Sequence, residues 1–386
     1  MSEIRVAYLG PPGTYSHQAA RQQFEPLSKN FKITYLPQPT IAQCFQSIND
    51  NKCDYSLIPF ENSSNGQVVL SYDLFKDWFI HVSKLKLILE QDAKESLKCK
   101  ADEATPANAA LPTPPTSAST TTTTTTLSSE HQTKHPNFNV IAEQFVAIHH
   151  NLITFSKDIT KIKTIYSHPQ VWSQCNKFLR DSNLDNNLKI SKIDTSSTSK
   201  AVEKLTQLPA GSQSRLETAA IASSTASEIH QVPILKHHIE DHSGNTTRFL
   251  VLGQVQTQQE QQQEQQPESQ VQLQLHSETS NKKIHLLTFI IRKNDNFGSL
   301  CDILAVFKKH NLNLQSITTR PSVVSSWRYV FFVEVWSNDN ENDHHDDDGK
   351  ELDSVIKELN SNELVLDLTV IGSFYRSKKY FEMIGA

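Results

Sequence analysis

Five times within residues 1–253, a short apolar run ends in a polar cluster and is followed by a segment with helical periodicity. The polar clusters are Gly10–His17 after Ile4–Leu9, Glu61–Gly66 after Tyr55–Pro59, Ser167–Gln170 after Ile162–Tyr166, Asp194–Ser199 after Lys189–Ile193, and Ser223–Thr225 after Ala219–Ala222. The helical segments that follow them are Gln18–Phe24, Gln67–Trp78, Val171–Leu179, Lys200–Leu205 and a segment from Ala226. Alternation of strand and helix is typical of an α/β fold.

The strand-to-helix junctions carry hydroxyls and amides at the points where helices begin. Free N–H groups and the helix dipole make such N-termini suitable for anions, and ligands of open α/β sheets gather beyond the carboxyl ends of strands. Several converging junctions therefore predict a ligand with more than one carboxylate. Taken singly, each Ser or Thr is also explained as an ordinary N-cap, which contributes about 1 kcal/mol of stability.

Three segments have the composition of insertions or linkers without a packed core. They are the Thr- and Pro-rich Gln91–Pro136, the Gln-rich Gln254–Ser280, and the acidic Asn338–Gly349, which contains His344 and His345. The first is predicted to be a disordered excursion between strand-like Leu85–Leu89 and Val140–Ile148. The second is predicted to separate two domains, and the third to be a solvated loop and not a metal site.

After the Gln-rich segment the pattern changes to a compact β-α-β-β-α-β order, which is typical of a ferredoxin-like unit. Its segments are Ile284–Ile291, Gly298–His310, Leu312–Thr319, Tyr329–Trp336, Glu351–Leu359 and Leu364–Gly372. We therefore predict an α/β domain over residues 1–253, a linker over 254–280 and a second domain over 281–378.

A formal net charge of -5 gives no strong attraction to nucleic acid or to an anionic membrane surface, which makes a small solute the better default partner. The five cysteines are scattered without a Cys-x-x-Cys pair, as expected in a reducing compartment. The N-terminus resembles a first strand and not a signal peptide, and no apolar run is long enough to span a bilayer. We therefore expect a cytoplasmic protein with no nucleic-acid or membrane partner.

Several familiar catalytic motifs are missing. Gly10–Thr14 lacks the Gly-Lys-Ser/Thr ending of a nucleotide-binding loop, and no Rossmann Gly-x-Gly-x-x-Gly occurs. His149-His150 and His237-His238 belong to no His-Glu-x-x-His motif or Cys/His cluster, and there is no Gly-x-Ser-x-Gly elbow. We expect neither a metal nor a cofactor, so that any chemistry depends on hydroxyls, amides and Arg248.

Five segments in order resemble the motifs of prephenate dehydratases. They are Tyr8–His17, Pro59–Gly66, Tyr166–Gln170, Ser197–Ala201 and Asn245–Phe249. The resemblance implies two α/β lobes around a cleft, similar to the type II periplasmic-binding arrangement, followed by an ACT domain. It also implies cofactor-free conversion of prephenate to phenylpyruvate, water and carbon dioxide in phenylalanine biosynthesis.

By resemblance, Thr247 is the key catalytic residue, and its hydroxyl is expected to assist departure of the C4 hydroxyl of the substrate. Two roles for Arg248 are equally well supported by the sequence: it orients a substrate carboxylate, or it anchors the structure. The candidates for substrate binding are Thr14, Asn62, Ser63, Ser167, His168, Gln170, Ser197, Thr198 and Phe249. Of these, His168, like Glu61, is also explained as a loop anchor, and Phe249 is better explained by packing.

The C-terminal unit carries two segments that resemble the ligand loops with which ACT domains of this family sense phenylalanine. The allosteric candidates are Phe297, Gly298, Ser299, Leu300, Thr319, Arg320 and Pro321. Family members usually have Glu-Ser-Arg-Pro where this chain has Thr318-Thr319-Arg320-Pro321. Because that carboxylate is missing, the strength and the effector of feedback are left open.

Two alternatives remain at this point: an arogenate dehydratase, and a non-catalytic carboxylate-binding protein of the same fold. The resemblance also implies a homodimer or homotetramer. Because the chain starts directly on the first strand-like segment, one activity is expected, without the chorismate mutase fused upstream in some relatives.

Overall fold

A computed structural model describes residues 2–102, 136–182, 190–255, 279–292, 297–337 and 350–385. Most of the Thr- and Pro-rich segment, nearly all of the Gln-rich segment and the acidic segment lie outside these ranges, and so do the predictions made for them. The domain boundaries near residues 253 and 280 stay predictions.

The first lobe is an α/β unit whose strands come from both ends of residues 1–255. Its strands are β1 (Glu3–Leu9), β2 (Lys32–Gln38), β3 (Tyr55–Asn62), β4 (Gly66–Gln67), β5 (Phe138–Ala147) and β11 (Thr246–Gln254). Its helices are α1 (Tyr15–Phe24), α2 (Ile41–Asn49), α3 (Val69–Phe79) and α4 (Val82–Asp102). Strand β1 pairs in parallel with β2 and β3, and β11 lies antiparallel between β3 and β5.

Helix α2 shows why such segments are helical. Thr40 caps it by accepting a hydrogen bond from the Gln43 N–H, and the buried Ile41, Phe45 and Ile48 then form one apolar face. Their spacing follows the period of 3.6 residues, so the face packs against the sheet while the other side meets solvent.

One strand prediction is wrong. Leu85–Leu89 was expected to be a strand, but it lies inside the helix α4, which also covers residues 91–102 at the start of the predicted disordered excursion. Leu85, Ile88 and Leu89 all pack on the core, and their spacing of three and four residues is that of a helix. A short apolar run does not distinguish a strand from a buried helical stripe.

The second lobe is a separate five-stranded sheet with the order β10-β6-β9-β7-β8. Its strands are β6 (Asn151–Ile153), β7 (Thr164–Ser167), β8 (Ser191–Asp194), β9 (Thr218–Ala222) and β10 (Ile234–Lys236). Its helices are α5 (Pro169–Gln174), α6 (Asn176–Asp181), α7 (Thr198–Thr206), α8 (Gln213–Leu216) and α9 (Ser224–His230). Residues 148–150 and 237–245 connect the lobes, so the predicted two-lobed α/β fold is confirmed.

The C-terminal domain has the predicted βαββαβ order. Its elements are β12 (Thr279–Ile291), α10 (Ser299–Lys309), β13 (Leu312–Pro321), β14 (Tyr329–Ser337), α11 (Lys350–Asn360) and β15 (Val365–Ser377), followed by α12 (Lys378–Ile384). The helices pack on one face of the sheet, with Ile303, Phe307, Val355 and Leu359 in their shared core.

The C-terminal sheet is continuous with that of the first lobe, in the order β13-β14-β12-β15-β5-β11-β3-β1-β2. The joint is a parallel pairing of Gly372 on β15 with Val140 on β5. A Cβ at position 372 would lie 2.1 Å from the Val140 carbonyl oxygen, so the two backbones can meet only at a glycine. Side chains of both domains share one core, in which Tyr72 of α3 meets Phe332 of β14 edge to face with centroids 5.2 Å apart.

No helix within the described ranges is both long enough and apolar enough to cross a membrane. Cys44, Cys53 and Cys175 are free and buried thiols, whereas Cys301 is exposed.

Candidate active site

Thr247 and Asn62 face each other at the end of the first-lobe sheet. Strands β11 and β3 are antiparallel, and their register places Thr247 directly opposite Asn62. The Asn62 Nδ2 donates a hydrogen bond of 2.9 Å to the Thr247 Oγ1 and another of 2.8 Å to the Asn245 Oδ1. The sequence motifs around residues 62 and 247, which are far apart in the chain, therefore form one site.

The orientation of the Asn62 amide is fixed by the turn that follows β3. Its Oδ1 accepts hydrogen bonds from the backbone N–H groups of Ser64 at 3.1 Å and Asn65 at 2.9 Å. An N–H donor can only meet the oxygen of the amide, so the Nδ2 must point at Thr247. Since the Thr247 Oγ1 accepts this bond, its own O–H remains available to donate elsewhere.

The loop after β1 brings the first lobe against the second. Gly13 has a φ of 86°, and a Cβ there would lie 2.5 Å from the Ser199 Oγ of α7. The Ser199 hydroxyl donates to the Pro12 carbonyl oxygen, and the Ser223 hydroxyl before α9 donates to the Gly13 carbonyl oxygen at 3.0 Å. Glycine is required here both for its left-handed backbone and for the close approach.

Thr14 and Ser197, both predicted to bind substrate, are N-caps. The Thr14 Oγ1 accepts from the His17 N–H at the start of α1, and the Ser197 Oγ accepts from the Lys200 N–H at the start of α7. Thr198 follows as the first residue of α7 and is buried. Each cap satisfies only one of the free N–H groups, so the helix ends keep others for a ligand.

His17, the third residue of α1, packs under the Gly10–Gly13 loop. Its Nδ1 accepts a hydrogen bond of 3.1 Å from the Gly13 N–H, and its ring stacks on Tyr8 at 4.7 Å. Burial lowers the pKa of His17 to about 4, so the ring is neutral at physiological pH and holds the loop as an acceptor.

Ser167, His168 and Gln170 lie at the junction of β7 and α5. The buried Ser167 hydroxyl donates to the Ile221 carbonyl oxygen at 2.8 Å. The His168 Nδ1 caps α5 by accepting from the Gln170 N–H at 3.4 Å, and burial lowers the pKa of His168. These contacts give Ser167 and His168 structural roles. The Gln170 side chain is exposed at the start of α5.

Ser63 ties β3 to β11. Its N–H donates to the Thr246 carbonyl oxygen and its hydroxyl accepts from the Thr246 N–H, both at 2.9 Å. Phe249 is 1% exposed and packs in the core beneath α1, beside Val251 and Phe24. This placement agrees with the packing explanation for Phe249.

Arg248 lies on the opposite face of β11 from Thr247, pointing to the C-terminal domain. Its Nη1 and Nη2 donate to Glu334 of β14 at 3.0 and 2.7 Å, and its Nε donates to Glu143 of β5 at 2.8 Å. The buried Arg376 of β15 donates from its Nη1 to the same Glu143 oxygen at 2.8 Å. We call these four residues, Arg248, Glu143, Glu334 and Arg376, the charge cluster.

Within the charge cluster, Arg248 and Glu334 stabilise each other's ionised forms although both are buried. Burial alone would lower the pKa of Arg248, but Glu334 and Glu143 outweigh it and raise that pKa well above its usual value. Burial alone would raise the pKa of Glu334, but Arg248 outweighs it and the pKa is lowered. Of the two roles left open for Arg248, the geometry supports the structural one.

The two predicted effector loops lie at the same end of the C-terminal sheet. Arg320 pairs with Val330, which pairs with Ile290 near the end of β12, and Gly298 then starts α10 with a φ of 79°. Phe297 is fully exposed, Ser299 is buried, Leu300 packs on the helical core, and Thr319 and Pro321 are exposed.

The predicted effector loop on β13 is bonded to the first lobe. Arg320 donates from Nε and Nη2 to the two carboxylate oxygens of Asp73 on α3, at 2.9 and 2.8 Å. Thr318, at the position where the resemblance leads us to expect Glu, accepts a hydrogen bond from Gln67. The loop thus contacts both domains.

The segments between the lobes carry a cluster of histidines around Glu240. The Glu240 Oε1 bonds the His149 Nδ1 at 2.7 Å, and its Oε2 accepts from the His150 N–H at 2.9 Å. His149, His238 and Glu240 have ligand atoms within 4.8 Å of one another, but the two rings are stacked at 4.2 Å. A metal binds in the plane of an imidazole, so these rings would have to turn to share one.

Sequence reasoning placed Asn245, Ser199 and Ser223 in motifs or polar clusters but did not name them as site residues, and it missed three members of the charge cluster. The one signal for Glu334 is a lone carboxylate inside the apolar Val330–Val335, a pattern that is equally typical of a strand with one face in water. Glu143 and Arg376 gave no comparable signal.

Comparison with known proteins agrees with this geometry. The family model for prephenate dehydratase matches residues 6–95 and 113–257. A probable prephenate dehydratase of Saccharomyces cerevisiae is 36% identical over 351 residues, covering 87% of this chain and 88% of the relative.

Two solved structures have the same fold. A prephenate dehydratase from Arthrobacter aurescens in complex with L-Phe has a TM-score of 0.62 at 17% identity, covering 97% of this chain and 91% of its own. The acylase GqqA has a TM-score of 0.59 at 16% identity, covering 97% and 99%. Because the fold supports different activities, the family model and the yeast relative carry the assignment: the chain belongs to the prephenate dehydratase family.

Proposed function

We propose that this chain converts prephenate to phenylpyruvate, water and carbon dioxide, with Thr247 as the residue that assists the leaving hydroxyl. Membership of the family makes it a decarboxylating dehydratase, a carbon–oxygen lyase. The observation that carries the role of Thr247 is the 2.9 Å bond from the Asn62 Nδ2, which leaves the threonine O–H free to donate.

The reaction breaks the C4–oxygen bond and the bond between C1 and its carboxylate. The electron pair from the carboxylate bond enters the ring, which becomes aromatic, and the C4 oxygen leaves with its own pair and needs one proton to depart as water. The Thr247 hydroxyl donates a hydrogen bond or proton to that oxygen, and Asn62 stabilises the negative charge that develops on the Oγ1.

The two substrate carboxylates are held by helix N-termini in this proposal. Arg248 is engaged with Glu143 and Glu334 on the far face of the sheet, so it does not reach the cleft side. The N-terminal turns of α1 and α7, behind Thr14 and Ser197, supply free N–H groups from opposite lobes. A dianion bound between them would draw the lobes together and exclude water from the site.

Feedback by phenylalanine is a separate part of the proposal. It is supported by the two loops at one end of the C-terminal sheet and by the L-Phe complex of the Arthrobacter relative. The bonds from Arg320 to Asp73 and from Gln67 to Thr318 give a direct route from that loop to the catalytic lobe. An effector that binds Arg320 would change these bonds between the loop and the catalytic lobe.

We also propose a homodimer or homotetramer that works in the cytoplasm. Strand β13 lies at the end of the strand order, and its Leu314 and Ile317 are exposed. An exposed apolar edge strand is suited to pairing with a second copy.

The test is incubation of the purified chain with prephenate while the absorbance of phenylpyruvate is followed. Tight binding of prephenate without product would reject the enzyme. Comparing specificity constants for prephenate and arogenate identifies the substrate, and unchanged kinetics in millimolar phenylalanine would reject feedback.

A further inference from the structure

The two segments that connect the lobes are bonded to each other at two places. Next to the first lobe, the Ile148 N–H donates to the Asn245 carbonyl oxygen at 2.8 Å. Next to the second lobe, the Ile239 N–H donates to the His150 carbonyl oxygen, also at 2.8 Å. A motion of one lobe relative to the other bends the chain between these two bonds, an interval that we call the hinge. His149 lies in the hinge, and neither the proposed mechanism nor the predicted effector loops use it.

Three side chains of the kind that bind metals meet at the hinge. They are His149 of one connecting segment and His238 and Glu240 of the other, and their ligand atoms lie within 4.8 Å of one another. In a tetrahedral zinc site the bonds are about 2.0–2.2 Å long, which puts the ligand atoms about 3.4 Å apart. The ligand atoms that are furthest apart therefore need to approach by about 1.4 Å. Two imidazoles and one carboxylate are an established set of zinc ligands, and a water completes such a site.

Glu240 is the ligand that is held in place. Its side chain is only 6% exposed, and its Oε2 accepts a hydrogen bond from the His150 N–H at 2.9 Å. Its Oε1 lies 2.7 Å from the His149 Nδ1, with a hydrogen between the two atoms. A metal ion that takes the place of this hydrogen lies near the plane of the His149 ring, as coordination by imidazole requires. A neutral imidazole can carry its hydrogen on Nε2 instead.

His238 is the ligand that has to turn. Its ring stacks on that of His149 with centroids 4.2 Å apart, and stacked rings do not point at one ion. The side chain is exposed, and within the described ranges its ring makes no hydrogen bond, since the bond to the Asn151 Oδ1 comes from the backbone N–H. Turning the ring therefore breaks no hydrogen bond, and exposed side chains change rotamer within nanoseconds.

We propose that His149, His238 and Glu240 bind a divalent transition-metal ion, with Zn²⁺ as the best fit, and that this ion braces the hinge. Imidazole ligands select such ions over Mg²⁺ and Ca²⁺, which prefer oxygen ligands. The bound ion joins the two connecting segments and so opposes motion of the lobes. The site matches no zinc sequence motif because His149 and Glu240 are 91 residues apart along the chain. The ion takes no part in the dehydratase reaction, so this inference does not depend on the proposed function.

The first test is isothermal titration calorimetry of the full chain, without an affinity tag, with ZnCl₂. His238→Ala and Glu240→Gln should each weaken zinc binding at least about tenfold. The matched control is His237→Ala, which removes the neighbouring exposed histidine and should bind zinc like the wild type. Millimolar Mg²⁺ should not displace the zinc. No zinc binding, or binding to His238→Ala as tight as to the wild type, would overturn the proposal.

Cobalt identifies the ligand at position 238 directly. When Co²⁺ replaces Zn²⁺, a thiolate ligand adds a charge-transfer absorption in the near ultraviolet. We expect this band for His238→Cys and not for the wild type, whose exposed Cys301 serves as an internal control. The matched variant is His237→Cys, which should lack the band. A band of equal strength in both variants, or none in His238→Cys, would remove His238 from the site.

Hydrogen exchange tests the brace itself. Zinc should slow amide exchange in residues 148–150 of the wild type at least about threefold, because the bound ion opposes local opening of the hinge. The same addition should leave exchange in His238→Ala unchanged. If exchange in the wild type is equally fast with zinc bound, the ion does not brace the hinge.

Discussion

Thr247 and Arg248 are neighbours on one strand, yet they belong to different parts of the molecule. Thr247 is partly exposed on the cleft side, where it accepts one hydrogen bond from Asn62. Arg248 is 5% exposed on the other side, in the charge cluster that connects β11 to β14 and β5. The alternation of a strand thus places the proposed catalyst and the interdomain contact back to back.

The largest effect is expected from Arg248→Gln, which leaves the buried Glu143 and Glu334 without their main cation. Breaking a buried ion pair on one side costs about 3–5 kcal/mol, measurable as a lower free energy of unfolding in urea. The double change Arg248→Met with Glu334→Leu should recover part of that loss. An Arg248→Gln chain as stable as the wild type would contradict the anchoring role.

Thr247→Ala should lower kcat on the order of a hundredfold or more, equivalent to about 2.7 kcal/mol of barrier, while the free energy of unfolding stays near that of the wild type. Thr247→Ser should keep most of the activity. The matched control is Thr246→Ala, which removes the neighbouring hydroxyl on the opposite face. If Thr247→Ala remains active, the donor is Thr246 or another group.

Asn62→Asp tests the bond between the two motifs. Aspartate can still accept from the Ser64 and Asn65 N–H groups, but it cannot donate to Thr247. We expect about a tenfold lower kcat with a small change in KM, as for one lost hydrogen bond. The matched control is Asn65→Asp, an amide-to-carboxylate change in the same turn, and equal effects of the two substitutions would refute the assignment.

The smallest effect is expected at the partly exposed pair of Asp73 and Arg320. Asp73→Asn should cost about 1 kcal/mol or less in the free energy of unfolding, far below the cost at Arg248. Arg320 lowers the pKa of Asp73 below 3.8, so the contribution is complete above that pH and fades as the pH falls through the folded value. The difference in the free energy of unfolding between wild type and Asp73→Asn should therefore be constant from about pH 7 to 5 and shrink towards pH 3. A difference that widens in acid would contradict the lowered pKa of Asp73.

Local patterns predicted much of this fold. The polar clusters at Thr14, Ser197 and Ser223 do cap helices, and all six segments of the C-terminal unit were predicted in type and order. Capping and periodicity are decided by neighbours in the chain, which a sequence displays directly. The proximity of Asn62 to Thr247 followed only from the resemblance.

The charge cluster could not be predicted in the same way. Glu143 and Glu334 lie 105 and 86 residues from Arg248 along the chain, and their pairing depends on which strands become neighbours. A single carboxylate on a strand gives the same pattern whether its face meets water or a buried guanidinium. The cavity of about 410 Å³ lined by Arg248 and Glu334 could not be predicted either, since its walls come from both domains.

The joint at Gly372 has a consequence for how the chain folds during synthesis. Strand β15, which follows all the other described strands along the chain, lies in the middle of the continuous sheet, between β12 and β5. Until it leaves the ribosome, the first lobe exposes the edge of β5 and the unfinished C-terminal domain exposes the edge of β12. Open edges invite pairing with other chains, so we expect truncated or stalled chains to aggregate until this last strand closes the sheet.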